Sequence, residues 1–275
     1  MIEIPEINAI SRVADWIEFQ LLFSNKNISK SKLTTLFKST GEDPSEDTVD
    51  SVINELRRRE YLYPSQCHYK LNGNVIESLA DWKSIPELMM CLIFSIRGVI
   101  KKKNEDDGTK LFENMARYAV KGYLRGEAEV IGFPNKNKLE LQIQNLSKKM
   151  NETQGTRKPL PKDKDKGVDI IAWKTHGDSR SNQIVLLLQC GAGLHYGIKK
   201  PISLTAWREF VNWSANPSTG IIIPTILKED EWAEVRDDYN LIFDRARIIH
   251  AYNALKTTNQ TLRDELIKWC ERQIN

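Results

Sequence analysis

The sequence predicts an α/β fold in which helices flank one mixed β-sheet, behind a helical N-terminal region. Two observations predict this fold. Residues 167–173 and 183–189 are rich in β-forming side chains, and the second stretch is nearly all apolar, as expected of a central strand. Stretches with apolar residues at helical spacing alternate with these and other apolar runs. Helices that alternate with buried strands indicate a layered α/β domain.

The chain length indicates two structural units. At 275 residues the chain exceeds the usual size of a single domain. We predict a helical unit at residues 1–100 and an α/β unit at residues 101–275, whose core lies at residues 128–227. The polar run at residues 101–108 is the candidate linker or exposed loop between them.

The first unit has an informative order of elements. Helical spacing of apolar residues predicts helices at 8–24, from 28–32 through Phe37, and at 48–60. Extended stretches at 61–63 and 68–71, with a turn at 72–74, predict a small hairpin. This is the order of a winged helix, in which a basic helix enters the major groove and the hairpin touches phosphate.

The basic end of the third helix is the candidate DNA-binding surface of this unit. Arg57, Arg58 and Arg59 follow one another there, and we predict that all three are exposed and bind DNA. The alternative is a helical bundle whose arginines are merely solvated.

The rest of the chain, from the last helix of the first unit onward, alternates between the two kinds of element. Predicted helices lie at residues 86–100, 111–124, 139–150, 204–213, 229–236, 246–254 and 262–273, and predicted strands at 127–133, 167–173, 183–189, 220–226 and 241–243. We predict that strands 167–173 and 183–189 pair as antiparallel neighbours, because a polar turn at 175–182 joins them. Helices 139–150 and 204–213 are expected to cover the sheet.

Composition excludes several classes of protein. The net charge of +3 is too small to identify nucleic acid as a partner. The four cysteines form no CxxC pair and the four histidines are scattered, so a zinc site is not expected. The amino terminus lacks the features of an export signal, and the longest apolar run, 88–96, is far shorter than the ~20 residues of a membrane span. We therefore expect a cytoplasmic protein without a membrane partner.

Two polar residues at the ends of the two central strands point to chemistry. Asp169 lies inside an otherwise apolar stretch, and Gln189 lies at the far end of the next strand. A buried carboxylate is costly unless a cation compensates it. Antiparallel pairing would bring Asp169 and the Gln189 amide oxygen side by side, and oxygen ligands of this kind suit magnesium.

These residues resemble the core of the PD-(D/E)XK nuclease superfamily, in which a G-x-D segment is followed some twenty residues later by a strand that ends in E/Q-x-K. The resemblance implies a restriction-endonuclease-like fold in which Asp169 and Gln189 bind Mg²⁺. In that superfamily a lysine orients or activates the attacking water, and a glutamate from the preceding helix often completes the site. Glu152, just after the predicted helix 139–150, is the candidate for that glutamate.

The sequence departs from the superfamily pattern at the lysine. The expected position, two residues after Gln189, is Gly191. The segment 189–200 instead resembles a QCxxGxxWxxK variant of bacterial nuclease-like proteins, with Tyr196 in the place of the tryptophan. On this resemblance Lys199 supplies the displaced cation. The resemblance also implies a role in restriction or anti-phage defence, inside a complex with other protein subunits.

Each candidate residue has a simpler alternative. Asp169 could form a structural ion pair with Lys166 or Arg180, and Gln189 could be a satisfied amide at a strand end. Glu152 could be solvated, and Lys199 could be one of a pair of surface lysines with Lys200.

Cys190 has two interpretations. It could be a thiol nucleophile with His195 five residues on, or a small core residue.

Basic residues also crowd the loop before Asp169. We predict that Lys162, Lys164 and Lys166 bind DNA, since cations beside the site would neutralise phosphates. The alternative is a solvated loop.

The sequence thus predicts a magnesium-dependent DNA endonuclease, a hydrolase that cleaves phosphodiesters. The alternative is a catalytically inactive nuclease fold that serves as a DNA-binding or scaffolding subunit, which the absent lysine at Gly191 and the neutral Gln189 favour. A helical transcription regulator would explain the N-terminal region but not the two strands with Asp169 and Gln189.

Overall fold

The computed structural model of the chain describes residues 2–39, 45–63, 67–100, 107–131, 139–160, 165–194, 197, 199–255 and 259–274. Its helices are α1 (Ile10–Ser24), α2 (Lys30–Lys38), α3 (Glu46–Leu62), α4 (Pro86–Arg97), α5 (Thr109–Leu124), α6 (Leu139–Met150), α7 (Leu204–Arg208), α8 (Glu229–Asp238), α9 (Arg245–Asn253) and α10 (Gln260–Ile274). Its strands are β1 (Ile28–Ser29), β2 (Tyr69–Asn72), β3 (Val75–Ser78), β4 (Glu127–Val130), β5 (Thr153–Gln154), β6 (Ile170–Lys174), β7 (Ile184–Cys190), β8 (Val211–Asn212), β9 (Ser218–Ile222) and β10 (Leu241–Phe243).

A five-stranded mixed sheet organises the second half of the chain, with the strand order β10-β9-β7-β6-β4. Strands β4, β6 and β7 are antiparallel neighbours, whereas β7, β9 and β10 run parallel. Ile170 lies opposite Leu188 in the β6–β7 register. The predicted antiparallel pairing of the two central strands is therefore confirmed.

Helices cover both faces of this sheet. Ile171 and Leu187 belong to an apolar cluster with α6 and α7, so the prediction that these helices cover the sheet is confirmed. Ile170 and Leu188 face the opposite side, where they join the core that includes α5 and α9. This alternation follows from the period of two along a strand. The chain thus forms a mixed α/β structure with helices on either side of a mixed sheet.

Two predicted boundaries are wrong. The predicted extended stretch at 61–63 begins inside α3, because the helical period of buried residues continues from Leu56 to Arg59 and Tyr63. The predicted helix 204–213 ends at Arg208, where the chain turns so that β8 pairs antiparallel with β5. In both places a short element was misassigned because tertiary packing overrides local preference.

The N-terminal region has the element order α1, β1, α2, α3 and a hairpin of β2 and β3, with β3 between β1 and β2 in a small sheet. The hairpin predicted with a turn at 72–74 is confirmed. Gly73 adopts a positive φ of 60° in that turn, a conformation that glycine allows at little cost. Ser45 starts α3, since its hydroxyl accepts a hydrogen bond from the Thr48 amide at 3.1 Å.

One apolar core joins the N-terminal region to the helices beneath the sheet. Phe19 of α1, Phe94 of α4, Phe112 of α5 and Trp269 of α10 all belong to it, and the Phe94 and Trp269 rings lie 5.0 Å apart. The two predicted units therefore share buried surface. Their division at residue 100 stays a prediction.

A buried ion cluster lies at the junction of α1, α3 and α9. Arg59 donates to Asp15 at 2.6 Å and to Glu18 at 2.8 Å, and Arg245 donates to the same two carboxylates at 2.8 and 2.9 Å. The four side chains are at most 1% exposed. The prediction that Arg59 is exposed is therefore wrong, because Arg59 falls on the same helical face as the buried Leu56.

Candidate active site

Asp169 lies at the end of the sheet, directly before β6. Its backbone amide donates to the Leu188 carbonyl at 2.9 Å, which extends the β6–β7 ladder by one residue. Its Oδ2 accepts a hydrogen bond from the Cys190 amide at 2.7 Å. Burial raises the pKa of this carboxyl above its usual value, although the Cys190 amide and Lys199 act in the opposite direction. The ladder therefore holds a largely buried carboxylate where two strands end.

Lys199 reaches this carboxylate from a point ten residues beyond Gln189 in the chain. Its Nζ lies 3.8 Å from Asp169 Oδ2 and donates a hydrogen bond to the Cys190 carbonyl. The structure therefore brings the displaced lysine to Asp169. Arg180, an alternative ionic partner of Asp169, pairs instead with Asp178 at 2.7 Å.

Gln189 ends β7 and is buried. Its Oε1 accepts a hydrogen bond from the Tyr239 hydroxyl at 3.1 Å. A side chain at Gly167 would place its Cβ 3.0 Å from Gln189 Nε2, and Gly167 also has a positive φ of 80°. Both facts explain why glycine stands two residues before Asp169. The amide is thus fixed near the end of β7, between Gly167 and Tyr239.

Glu113 of α5 is a member of this cluster that the sequence reasoning missed. Burial and the Asp169 carboxylate raise its pKa, and α5, which carries Glu113, packs against β6. Lys110 Nζ donates to both Glu113 oxygens, at 2.8 and 3.1 Å. The signal that could have found Glu113 is its position on the apolar stripe of α5, at helical spacing from the buried Ala116 and Val120.

Glu152 lies elsewhere. Its carboxylate accepts hydrogen bonds from the Ser214 hydroxyl at 2.6 Å, the Ser214 amide at 3.0 Å and the Asn182 amide at 3.3 Å. Asn182 precedes β7, so Glu152 is at the opposite end of that strand from Gln189, roughly 20 Å away at the rise of an extended chain. The structure therefore does not bring Glu152 to Asp169. The Glu152 carboxylate instead joins the loop that contains Asn182 to the loop that contains Ser214.

The basic candidates are scattered. Arg57 is exposed and donates to Asn54 at 2.8 Å, while Arg58 forms two hydrogen bonds with Glu55, at 2.8 and 2.9 Å. Lys166 is half-buried just before Gly167. Lys162 and Lys164 lie outside the described residues.

Cys190 is a core residue in this structure. It is 6% exposed and belongs to the same apolar core as Ile170 and Leu188. Burial raises the pKa of its thiol well above the usual value, and the nearby carboxylates of Asp169 and Glu113 act in the same direction. A protonated, buried thiol is a poor nucleophile. His195, its proposed partner, lies outside the described residues.

The oxygens around Lys199 fit a cation. Within the described ranges, no three His, Cys, Asp or Glu side chains are grouped so that they alone could hold a metal ion. The Asp169 carboxylate and the Cys190 carbonyl nevertheless converge on one positive charge, the Lys199 ammonium. Carboxylate and carbonyl oxygens are among the ligands that Mg²⁺ takes in proteins. These two oxygens are hard donors that already lie beside a positive charge.

The comparisons with known proteins add little to this geometry. No protein-family model matches the chain, and no curated protein matches it either. A solved structure titled as restriction endonuclease FokI is similar to it with a TM-score of 0.21 and 10% identity over 94% of this chain. The chain spans 46% of the length of that protein. At this TM-score the likeness supports no conclusion about fold or activity.

No helix in the described part of the chain combines the length and the apolar character that crossing a membrane requires.

Proposed function

We propose that this chain is a magnesium-dependent DNA phosphodiesterase with a PD-(D/E)XK-like site. The observation that carries the proposal is the cluster at the ends of β6 and β7, where the buried carboxyls of Asp169 and Glu113 lie beside the ammonium groups of Lys199 and Lys110. Carboxylates that are buried, close together and raised in pKa are typical of functional sites. Here they stand where the nuclease resemblance expects an acidic site.

We propose that the Asp169 and Glu113 carboxylates, the Gln189 amide oxygen and the Cys190 carbonyl hold the magnesium ion. When bound, magnesium supplies Lewis acidity towards a phosphate oxygen, an effect worth several kcal/mol of barrier. The protein holds the proposed ligands in place. The backbone hydrogen bond to Leu188 fixes Asp169, and the Tyr239 hydroxyl fixes the Gln189 amide. A site built on rigid strands needs little reorganisation during the reaction.

Lys199 has two positions in this proposal. Without substrate its ammonium lies against Asp169 and the Cys190 carbonyl. When the carboxylate is engaged by a metal, the partly exposed ammonium turns towards the phosphate, where its charge opposes the negative charge that grows in the transition state. Lysine is suited to such a move, since its charge is compact and its stem is flexible.

We propose that the N-terminal region is a winged helix that positions the duplex. The element order α1-β1-α2-α3-β2-β3 and the sheet in which β1 joins the hairpin support this proposal. An open cleft of about 450 Å³ runs between α3 and the hairpin, lined by Arg57, Glu60, Tyr61, Leu71 and Gly73. Its exposed arginine and tyrosine suit contacts with the DNA backbone and bases. On the resemblance of residues 189–200, we further propose that the chain acts with other subunits in a bacterial restriction or antiviral defence complex.

A second function has its own support. Lys199 and Lys110 already neutralise the two carboxylates, the Gln189 amide is satisfied by Tyr239, and glycine stands at position 191. An internally balanced cluster of this kind fits a nuclease fold that has lost catalysis and serves as a DNA-binding or scaffolding subunit.

Plasmid cleavage distinguishes the two functions. The full chain, alone and with its native partners, is incubated with supercoiled plasmid in Mg²⁺, Mn²⁺ or EDTA. We expect metal-dependent nicking that falls about 100-fold or more in Asp169→Asn, since the variant loses one ligand charge. Asp178→Asn, the same change in an ion-paired aspartate at the other end of the β6–β7 hairpin, is expected to cut as the wild type does.

Cutting in EDTA, or full activity of Asp169→Asn, would contradict the enzyme proposal. A wild-type protein that binds DNA but cuts under none of these conditions would support the scaffolding function.

A further inference from the structure

Lys110 occupies an unusual place for an ordinary surface lysine. It lies in the first turn of α5, and that turn contains no acidic residue. The amino end of a helix carries a partial positive charge, so a lysine there is unfavourable by several tenths of a kcal/mol. Its partner Glu113 lies three residues on and is largely buried, so one role of Lys110 is to compensate a buried carboxylate. The Lys110 side chain itself is 47% exposed, so its ammonium also faces solvent at this position.

The lysine side chains of the site are more exposed to solvent than its carboxylates. The Glu113 and Asp169 side chains are 11% and 16% exposed. The ammonium-bearing side chains of Lys110 and Lys199 are 47% and 37% exposed. An anion that approaches from solvent therefore meets ammonium groups before it meets carboxylates. The helix that carries Lys110, α5, packs against β6, which Asp169 directly precedes, and both lysines act to lower the pKa of Asp169.

We propose that Lys110 is a phosphate-binding residue of this site, which contacts the backbone of duplex DNA from the α5 side while Lys199 contacts it from the β7 side. This inference rests on the proposed function, because it takes the cluster to be the place where DNA binds. It also explains how the site functions with glycine at position 191: the two cations come from the helix and from the loop after β7 instead of from the strand itself.

Charge arithmetic supports two cations in this place. A phosphodiester adds one negative charge beside two carboxylates, so a single ammonium would leave the site strongly anionic and would repel DNA. Lys110 and Lys199 balance the charges of Asp169 and Glu113, and the nearby Asp165 adds one negative charge, so a divalent ion makes the cluster positive. A compact, flexible ammonium can leave Glu113 for a phosphate oxygen without moving the backbone.

The same helix supplies a matched control. Lys121 lies near the other end of α5, is 38% exposed and forms an ion pair with Glu127 at 2.8 Å. Lys110 and Lys121 thus share a helix, have similar exposure and each pair with a glutamate; the glutamate of Lys110 is largely buried at the site, whereas that of Lys121 is exposed. An effect confined to Lys110 identifies the site rather than the general charge of the helix.

The test measures the affinity of the full chain for a fluorescent duplex in EDTA over a series of salt concentrations. We expect Lys110→Ala to weaken binding about fivefold at low salt and to reduce the slope of log affinity against log salt by about one, as the loss of one phosphate contact does. Lys110→Arg should restore most of the affinity, and Lys121→Ala should match the wild type. Thermal unfolding of each variant shows that the fold is intact.

The outcomes separate this inference from the proposed catalysis. If the wild type binds DNA without cutting it and Lys110→Ala binds more weakly, the phosphate role stands and the nuclease activity does not. If the wild type cuts plasmid and Lys110→Ala equals it in both affinity and salt slope, the inference is overturned while the nuclease stands. A wild type that binds no duplex overturns both, and equal losses in Lys110→Ala and Lys121→Ala overturn the specific role of Lys110.

Discussion

Two clusters in this protein each set carboxylates against a pair of cations, but they differ in the identity of the cations and in their access to water. In the buried cluster, Arg59 and Arg245 donate hydrogen bonds to Asp15 and Glu18 at 2.6–2.9 Å. None of these four side chains is more than 1% exposed. Burial alone would raise the pKa of Asp15, yet the two guanidinium groups outweigh it and hold the pKa below its usual value. These charges are fixed.

The candidate site has carboxyls whose pKa values are shifted in the opposite direction. Its cations are lysines, about half exposed, and its carboxyls at Asp169 and Glu113 have raised pKa values because burial outweighs their ammonium partners. A rigid, always-charged guanidinium suits a permanent pair, whereas a flexible ammonium can be exchanged. We propose that exposed lysines beside carboxyls of raised pKa mark a ligand-binding site, whereas buried arginines beside carboxylates form a structural ion cluster.

The largest expected difference between the clusters is in stability. Arg245→Met leaves two buried carboxylates with one guanidinium, and removing one partner of a buried ion cluster costs about 3–5 kcal/mol. Lys199→Met removes a half-exposed ammonium 3.8 Å from Asp169 and should cost less than about 1 kcal/mol. Equilibrium unfolding in urea measures both free energies. Equal losses in the two variants would refute the distinction drawn between the clusters.

Acid should weaken the buried cluster through His68. Burial lowers the pKa of this histidine to about 4, Arg245 and Arg59 act in the same direction, and Glu18 opposes them. The unfolded chain takes up this proton near pH 6.5, so between about pH 6.5 and 4 the unfolded state binds more protons and stability falls as the pH falls. The full loss is roughly 3 kcal/mol.

His68→Phe tests this pH dependence. The substitution keeps an aromatic ring beside Tyr63 and Tyr69, whose centroids lie 5.5 and 4.9 Å from that of His68. It should flatten the decline in unfolding free energy over that pH range, as measured by urea unfolding at a series of pH values. An unchanged acid profile would show that other groups cause the decline.

Substitutions of two buried glutamates compare a proposed functional carboxylate, Glu113, with a structural one, Glu152. Glu113→Gln should lower metal-dependent DNA cleavage about 100-fold while stability does not fall, since burial and Asp169 already disfavour the Glu113 carboxylate. Glu152→Gln should leave cleavage unchanged and cost about 1–2 kcal/mol, because it weakens charge-assisted hydrogen bonds to Ser214 and Asn182. Cleavage assays and unfolding curves are measured on the same samples of both variants. Loss of cleavage in Glu152→Gln but not in Glu113→Gln would make Glu152 the better candidate for the site.

Local patterns were enough to predict much of the fold. The strands β6 and β7 were predicted from continuous apolar runs rich in β-forming side chains, and α6 was predicted from the period of a helix. Lys199 was assigned to the site from the resemblance of residues 189–200 to a nuclease-like motif, and the structure brings its Nζ within 3.8 Å of Asp169 Oδ2. The lysine's role there stays a prediction.

The misassigned residues depended on contacts that no local pattern contains. Glu113 lies in α5 and Glu152 follows α6, so both are glutamates of helical segments. The packing of α5 beside β6 places Glu113 near Asp169, whereas Glu152 bonds to Ser214 at the other end of β7. Arg59 seemed a surface cation beside Arg57 and Arg58, because its partners Asp15 and Glu18 lie more than forty residues earlier in the chain. Long-range pairing decided each case.

Metal binding tests the central claim most directly, because it requires neither partner subunits nor a cleavable substrate. The metal-stripped full chain is titrated with Mn²⁺ in a calorimeter, beside Asp169→Asn and the control Asp178→Asn. We predict that the wild type and Asp178→Asn bind Mn²⁺ with similar affinity, and that Asp169→Asn binds at least about tenfold more weakly, since it loses one anionic oxygen ligand. A wild type that binds no Mn²⁺, or an Asp169→Asn variant that binds it equally well, would contradict the proposal that this cluster exchanges its lysines for a metal.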